Sequence, residues 1–184
     1  ASDIYWRSTE FTDLEKYKLA VQPFINKQQA KKNLLDFSDI LDNYGVKHLL
    51  SYGTLLGAYR EHDFIEHDLD TDLIYFDLQG LLDALVSKEF KDSGFSVGRV
   101  QNIELISVHR AGEFIDLYLF HPLQDGTHGM RVPHWSHAKI ADDLLFPNSF
   151  IEFLDKRFRT IGKIEEHLAD IYGDDWRVPK ITHG

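Results

Sequence analysis

An α+β fold follows from three features of the 184-residue chain. A helical pattern fills roughly its first quarter, short strand-like segments crowd residues 46–120, and helical spacing returns near the C-terminus. The reading is a single domain spanning 1–184. It comprises a helical N-terminal portion (1–44), a small mixed sheet carrying the chemistry (45–120), and an irregular loop with C-terminal helices (121–184).

The helical portion is divided by Pro23, which breaks the hydrogen-bond ladder between a first helix at about 13–21 and a second at about 24–44. In the second, Leu34, Leu35, Phe37, Ile40 and Leu41 recur at helical spacing, and Gly45 marks the stop. Val46 to Tyr52 reads as a buried strand closed by Gly53. Residues 54–61 read as a short helix with apolar Leu55, Leu56 and Ala58, and residues 61–67 as a charged, His-containing loop. Asp70 to Phe76 carries the strand signature Leu73-Ile74-Tyr75-Phe76. Leu81, Leu82, Leu85 and Phe90 mark one further helix ending near Gly94. Three strands follow at about 95–101, 103–109 and 113–120. Their turns, Gln101-Asn102 and Ala111-Gly112, favour antiparallel pairing. Residues 121–149 read as irregular, with Pro122, Gly126, Gly129, Pro133 and Pro147, and Ile164 to Tyr172 as helix.

Composition narrows the function classes. With 20 Lys+Arg against 30 Asp+Glu the formal charge is −10, and 43% of residues are hydrophobic. A core is assured, while binding to nucleic acid or to an anionic membrane through a basic face is disfavoured. The chain has no cysteine, which removes disulfides, thiolate catalysis and Cys-based zinc sites. No apolar run is long enough to span a bilayer. The opening Ala1-Ser2-Asp3-Ile4-Tyr5-Trp6 lacks the pattern of a secretory leader, so a cytoplasmic location is the expectation.

The chemistry concentrates in Gly53-Thr54-Leu55-Leu56-Gly57-Ala58-Tyr59-Arg60 and in the alternating acids Asp68, Asp70 and Asp72. Side chains at i and i+2 of an extended chain share a face, roughly 6–7 Å apart. Two carboxylates so placed suit a hard cation, and burying them without one is costly. Asp116 is the one charge within the apolar strand Phe114–Phe120 and is the natural third carboxylate, although a buried Arg or backbone amide would also serve it as a partner. Mg²⁺ (or Mn²⁺) is the ion expected, since it takes one or two carboxylates together with water and phosphate oxygens. A calcium loop counted from Asp68 fails, because position six is Leu73 and position twelve is Gln79. His121, His128, His134 and His137 make a weaker zinc candidate. Trp135 and Trp176 are candidates for stacking on a base or sugar.

These motifs resemble the LicD/fukutin-related phosphotransferase family. Gly53 to Arg60 matches its G-T-L-L-G-A-x-R element, and Phe64-Ile65 with Asp68, Asp70 and Asp72 matches its F-I-P-W-D-x-D-x-D element. Asp116 matches its strand aspartate, and Phe146-Pro147 with Tyr172–Pro179 resemble its closing elements. Glu66-His67 departs from the family's Pro-Trp, Asp63 from its usual Gly, and Gly162 from a common Pro. The resemblance implies a nucleotidyltransferase-like fold, with a small mixed sheet flanked by helices. It further implies transfer of a substituted phosphate (phosphocholine- or phosphopolyol-like) from a CDP-type nucleotide donor to a sugar hydroxyl of a glycan. Asp70, Asp72 and Asp116 would be catalytic metal ligands with Asp68 in support, while Gly53, Thr54 and Arg60 would contact donor phosphate. The alternatives are transfer of a nucleoside monophosphate to an acceptor, or a non-catalytic nucleotide-binding module.

Overall fold

Asn26 starts the first described helix by accepting a hydrogen bond from the Gln29 amide at 3.2 Å, the N-cap arrangement that satisfies an otherwise orphaned donor. The computed structural model describes residues 24–131 and 138–180. The helix expected at 13–21 and the His134–His137 segment lie outside them. Helix α1 (Lys27–Asn43) buries Leu34, Phe37 and Leu41 completely, its apolar stripe closing over strand β5. Gly45, at φ +67°, turns the chain out of it.

The elements that follow are β1 (His48–Leu50), α2 (Tyr52–Arg60), β2 (Asp70–Tyr75), α3 (Leu78–Leu85), α4 (Lys88–Asp92), β3 (Ser96–Gln101), β4 (Leu105–Arg110) and β5 (Glu113–Leu119). After them come β6 (His121–Pro122), β7 (Thr127–Gly129), β8 (Lys139–Ala141), α5 (Asp142–Leu145), β9 (Ser149–Phe153), β10 (Lys156–Thr160) and α6 (Ile164–Tyr172). The main sheet has seven strands in the order β3-β4-β5-β2-β1-β10-β9. Its β2–β5 and β1–β10 pairs are parallel and the other four antiparallel. It is thus the mixed sheet with flanking helices that the sequence predicts. Leu49, Leu50, Leu73, Leu117 and Phe158, all 2% exposed or less, form its central core. No helix among the described residues is long and apolar enough to cross a membrane.

Four expectations need correction. The helix read across Leu81–Phe90 is two helices, because the Ser87 hydroxyl caps a new one by accepting from the Phe90 amide at 3.1 Å. The strand read over 46–52 is only His48–Leu50, since Tyr52 already opens α2. The span 121–149, read as irregular, holds the three-stranded sheet β6-β7-β8 and the one-turn helix α5. The main sheet also does not end at residue 120: the β9–β10 hairpin joins it at Leu49↔Arg159 and Leu50↔Thr160, and α6 is the one helix the described residues hold beyond it.

Candidate active site

The carboxylates meet because of strand register. Asp72 on β2 pairs directly with Asp116 on β5 in the parallel ladder, so both side chains leave the sheet on the same face. Asp116 pairs in turn with Ser107 on β4, and Ser107 with Arg99 on β3. A row Arg99–Ser107–Asp116–Asp72 therefore crosses four strands. The register shifts between Val97 and Arg99, around Gly98, and a bulge of this kind re-aims the side chain that follows. Along the row, Ser107 Oγ donates to Asp116 Oδ1 at 2.5 Å, and an Arg99 Nη lies 3.7 Å from Asp116 Oδ2. A hydroxyl and a guanidinium thus partner the Asp116 carboxylate, although the residue is only 5% exposed.

Asp72 is placed otherwise. Its amide donates to Thr54 Oγ1 at 2.9 Å, tying β2 to the first turn of α2. Its Oδ1 accepts from Tyr118 Oη at 3.3 Å. Burial, and then the charges of Asp116, Asp70 and Asp68, push the Asp72 carboxyl well above the usual carboxylate range; the Tyr118 hydrogen bond pulls the other way. Burial followed by Asp72 likewise raises the hydroxyls of Tyr52, Tyr118 and Tyr172, so all three remain protonated hydrogen-bond donors. Asp70 shares the Asp72 face, while Thr71 between them is buried on the other side.

Beside Asp72 opens a cleft of about 640 Å³. Tyr52, Gly53, Arg60, Asp68, Tyr172 and Trp176 are among its lining residues. Gly53 has a local reason to be glycine: an added Cβ would stand 2.1 Å from Asp68 Oδ2. It is the Asp68 carboxylate that requires the close approach seen here. Thr54 is 1% exposed, and its Oγ1 braces the Asp72 amide. Arg60 is also engaged, donating to the Trp176 carbonyl at 3.0 Å and to Glu61 Oε1 at 3.0 Å. Its guanidinium pins the C-terminal segment over the cleft. Trp176 itself is 4% exposed and packs on Tyr59 with ring centroids 5.7 Å apart.

The arrangement suits a hard cation held by few protein groups. Asp72 and Asp116 form an adjacent like-charged pair whose repulsion a divalent ion would relieve. Among the described residues no three His, Asp or Glu side chains converge tightly enough to enclose an ion by themselves. Two carboxylates completed by water and phosphate oxygens match Mg²⁺ rather than an all-protein cage. The zinc candidates are separately engaged, His128 Nδ1 with Asp142 Oδ1 at 2.6 Å and His121 Nε2 with Glu104 Oε1 at 3.2 Å. The sequence reading missed Arg99, Ser107 and Tyr118. Gly98 inside a strand was the signal for the bulge that aims Arg99, and Tyr118 sits one same-face step beyond Asp116.

Comparison with known proteins bears on the family and the fold. A family model described as the LicD/FKTN/FKRP nucleotidyltransferase domain matches residues 45–160. The chain is 26% identical over 170 residues to ribitol-5-phosphate transferase FKTN of Macaca fascicularis, covering 88% of this chain and 36% of that protein. It is 26% identical over 164 residues to the Homo sapiens protein of the same name, covering 85% and 35%. It thus spans about a third of the length of these curated relatives. Among solved structures, the lincomycin-bound lincosamide antibiotic adenylyltransferase LnuA superposes with a TM-score of 0.55 at 16% identity, over 78% of this chain and 86% of that one. That likeness establishes the nucleotidyltransferase fold.

Proposed function

The chain belongs to the LicD/FKTN/FKRP nucleotidyltransferase-domain family, and from that premise we propose that it is a metal-dependent phosphotransferase. It moves a substituted phosphate of the phosphopolyol or phosphocholine kind from a CDP-type nucleotide donor to a sugar hydroxyl of a glycan. The observation that carries the reading is the register pairing of Asp72 with Asp116 beside a cleft of about 640 Å³ that Asp68 and Asp72 help to line. The activity for which the relatives are named, ribitol-5-phosphate transfer, supports the phosphopolyol form of the group moved.

In this mechanism Asp70 and Asp72 are the principal residues that would hold Mg²⁺ or Mn²⁺, with Asp116 bridging and Asp68 supporting them. When bound, the ion neutralises charge developing on the donor phosphates. Tyr118 orients the Asp72 carboxylate, and Ser107 with Arg99 holds the Asp116 carboxylate in place. The acceptor hydroxyl oxygen forms a bond to the head-group phosphorus while the bond to the bridging oxygen breaks and the nucleoside monophosphate leaves. The hydroxyl proton passes to Asp116, the register partner of Asp72; such a base contributes roughly 10²–10⁴-fold. Tyr52, Tyr172 and Trp176 supply apolar surface for the donor.

The test is a thermal-shift and product assay with CDP-, UDP- and ADP-linked donors, with and without Mg²⁺. Ligand at a hundredfold excess over its Kd stabilises the fold by about 2.7 kcal/mol. Mg²⁺-dependent stabilisation by a CDP-linked donor, and an acceptor that gains the mass of the substituted phosphate, support the reading. An acceptor that gains a nucleotide replaces it with nucleotidyl transfer. Asp72→Asn should keep the fold and lose turnover; undiminished turnover refutes the role given to Asp72.

A further inference from the structure

At the end of β1 away from the carboxylates, the chain gathers positive charge against its own acidic average. Lys47, Lys156, Arg157, Arg159 and Phe150 help to line a concavity of about 240 Å³. Its floor is rigidly built. Lys156 Nζ donates to Ser38 Oγ at 2.9 Å and pairs with Asp39 at 3.2 Å and Asp42 at 3.0 Å, so its charge is compensated. Beneath it, buried Ser38 and His48 are joined at 2.6 Å between Oγ and Nε2. His48 Nδ1 lies 2.8 Å from the Val46 carbonyl. Because a carbonyl can only accept, Nδ1 carries the hydrogen and Nε2 accepts from Ser38.

The two arginines are arranged differently from Lys156. Their guanidinium carbons stand 4.1 Å (Arg157) and 4.9 Å (Arg159) from the centre of the Phe150 ring, which remains 43% exposed. Neither has an ion-pair partner among the described residues, although Arg159 Nη1 donates to Asn148 Oδ1 at 3.5 Å and Arg157 stands opposite Glu152 in the β9–β10 ladder. Protection of a sheet edge does not account for this. Protective charges belong on the edge strand itself, whereas both arginines stand on β10, one strand in, and the edge strand β9 presents an exposed aromatic ring. Stacking on Phe150 fixes the guanidinium planes and leaves their N–H edges for an acceptor.

We infer that this concavity is a second binding site, separate from the carboxylate cleft, that takes a phosphate ester through Arg157, Arg159 and Lys47. Three cations without an ion pair among the described residues match a dianionic tetrahedral group better than a monoanionic carboxylate, and guanidinium N–H pairs fit phosphate oxygens two at a time. The site does not depend on the transfer reaction proposed above.

The test titrates isotopically labelled full chain with inorganic phosphate and with glycerol phosphate, following the arginine side-chain N–H resonances, with chloride at matched ionic strength as the control. A parallel arm measures co-sedimentation with vesicles of phosphatidate in phosphatidylcholine against phosphatidylcholine alone. Saturable shifts of the Arg157 and Arg159 resonances by phosphate, absent with chloride, are expected. The Arg157→Gln/Arg159→Gln chain should bind at least tenfold more weakly with an unchanged circular dichroism spectrum. Saturation by glycerol phosphate identifies a soluble ester, and co-sedimentation confined to phosphatidate vesicles identifies a lipid headgroup; either supports the site. Shifts reproduced by chloride, or equal affinity in the double variant, overturn it.

Discussion

Asp72 and Asp116 are register partners across the parallel β2–β5 pair, yet only Asp116 has Ser107 and Arg99 behind it. Two like charges thus meet with unequal support. Burial and the charges of Asp116, Asp70 and Asp68 push the Asp72 carboxyl well above the usual carboxylate range, and a bound cation would favour its ionised form.

Tyr118 should prove a positioning residue. Tyr118→Phe removes the hydroxyl that donates to Asp72 Oδ1 while preserving the ring that packs on Tyr52 at 5.2 Å. Loss of an outer hydrogen bond to a metal ligand typically weakens metal affinity about 10–100-fold. Isothermal titration with Mn²⁺ should show a drop of that order with an unshifted melting temperature; equal Mn²⁺ affinity would refute the role.

Gly53→Ala should displace Asp68. The new Cβ would arrive 2.1 Å from a carboxylate oxygen, far inside van der Waals contact, so the side chain must move or the strand-to-helix turn must shift. Overpacking of this kind costs about 1–3 kcal/mol. Urea denaturation should detect that loss, and donor binding in the cleft should weaken with it. A variant as stable as the parent, with full donor affinity, contradicts the packing described.

Ser107→Ala should destabilise the fold by about 2 kcal/mol, the range for a hydrogen bond to a buried charged group. The measurement is the denaturation midpoint near neutral pH. An unchanged midpoint would mean that Arg99 alone suffices for that carboxylate.

His167 sets an acid limit. The residue is 1% exposed, both ring nitrogens lack partners among the described residues, and burial lowers its pKa to about 4 despite the opposing charge of Asp170. Between the unfolded value of 6.5 and about 4, the unfolded chain binds a proton that the folded chain refuses. Stability from this group is therefore complete above 6.5 and falls as pH drops toward 4, by roughly 3 kcal/mol in all. Denaturation of the parent and of His167→Leu at pH 7 and pH 4.5 checks this. The variant should lose less stability on acidification, and parallel losses would exclude His167 as the cause.

The elements legible in the sequence are those whose signals are local. The stripe Leu34, Phe37, Leu41 announces α1, and Ala111-Gly112, at φ +53° and +80°, has the two positive dihedrals of a tight hairpin turn with a glycine to mark them. The β9–β10 hairpin lacks such a marker. Its turn residues Leu154 and Asp155 adopt φ +54° and +61° without glycine or asparagine, and the strand Lys-Arg-Phe-Arg-Thr shows charge rather than an apolar run. At the site, the spacing of Asp70 and Asp72 is readable because strand geometry dictates it. The partnership of Asp116 with Ser107 and Arg99 depends on the order of β3, β4, β5 and β2 in the sheet, a property of tertiary assembly that no window of sequence contains.

The hydrogen bond from Arg60 to the Trp176 carbonyl spans 116 positions, so the far wall of the cleft hangs from the final residue of α2. Shortening the chain before Trp176 would unroof the ring of Tyr59, strip a carbonyl acceptor from a half-buried guanidinium, and leave the carboxylates facing open solvent on that flank. Trimming the tail is therefore a change to the reaction chamber itself.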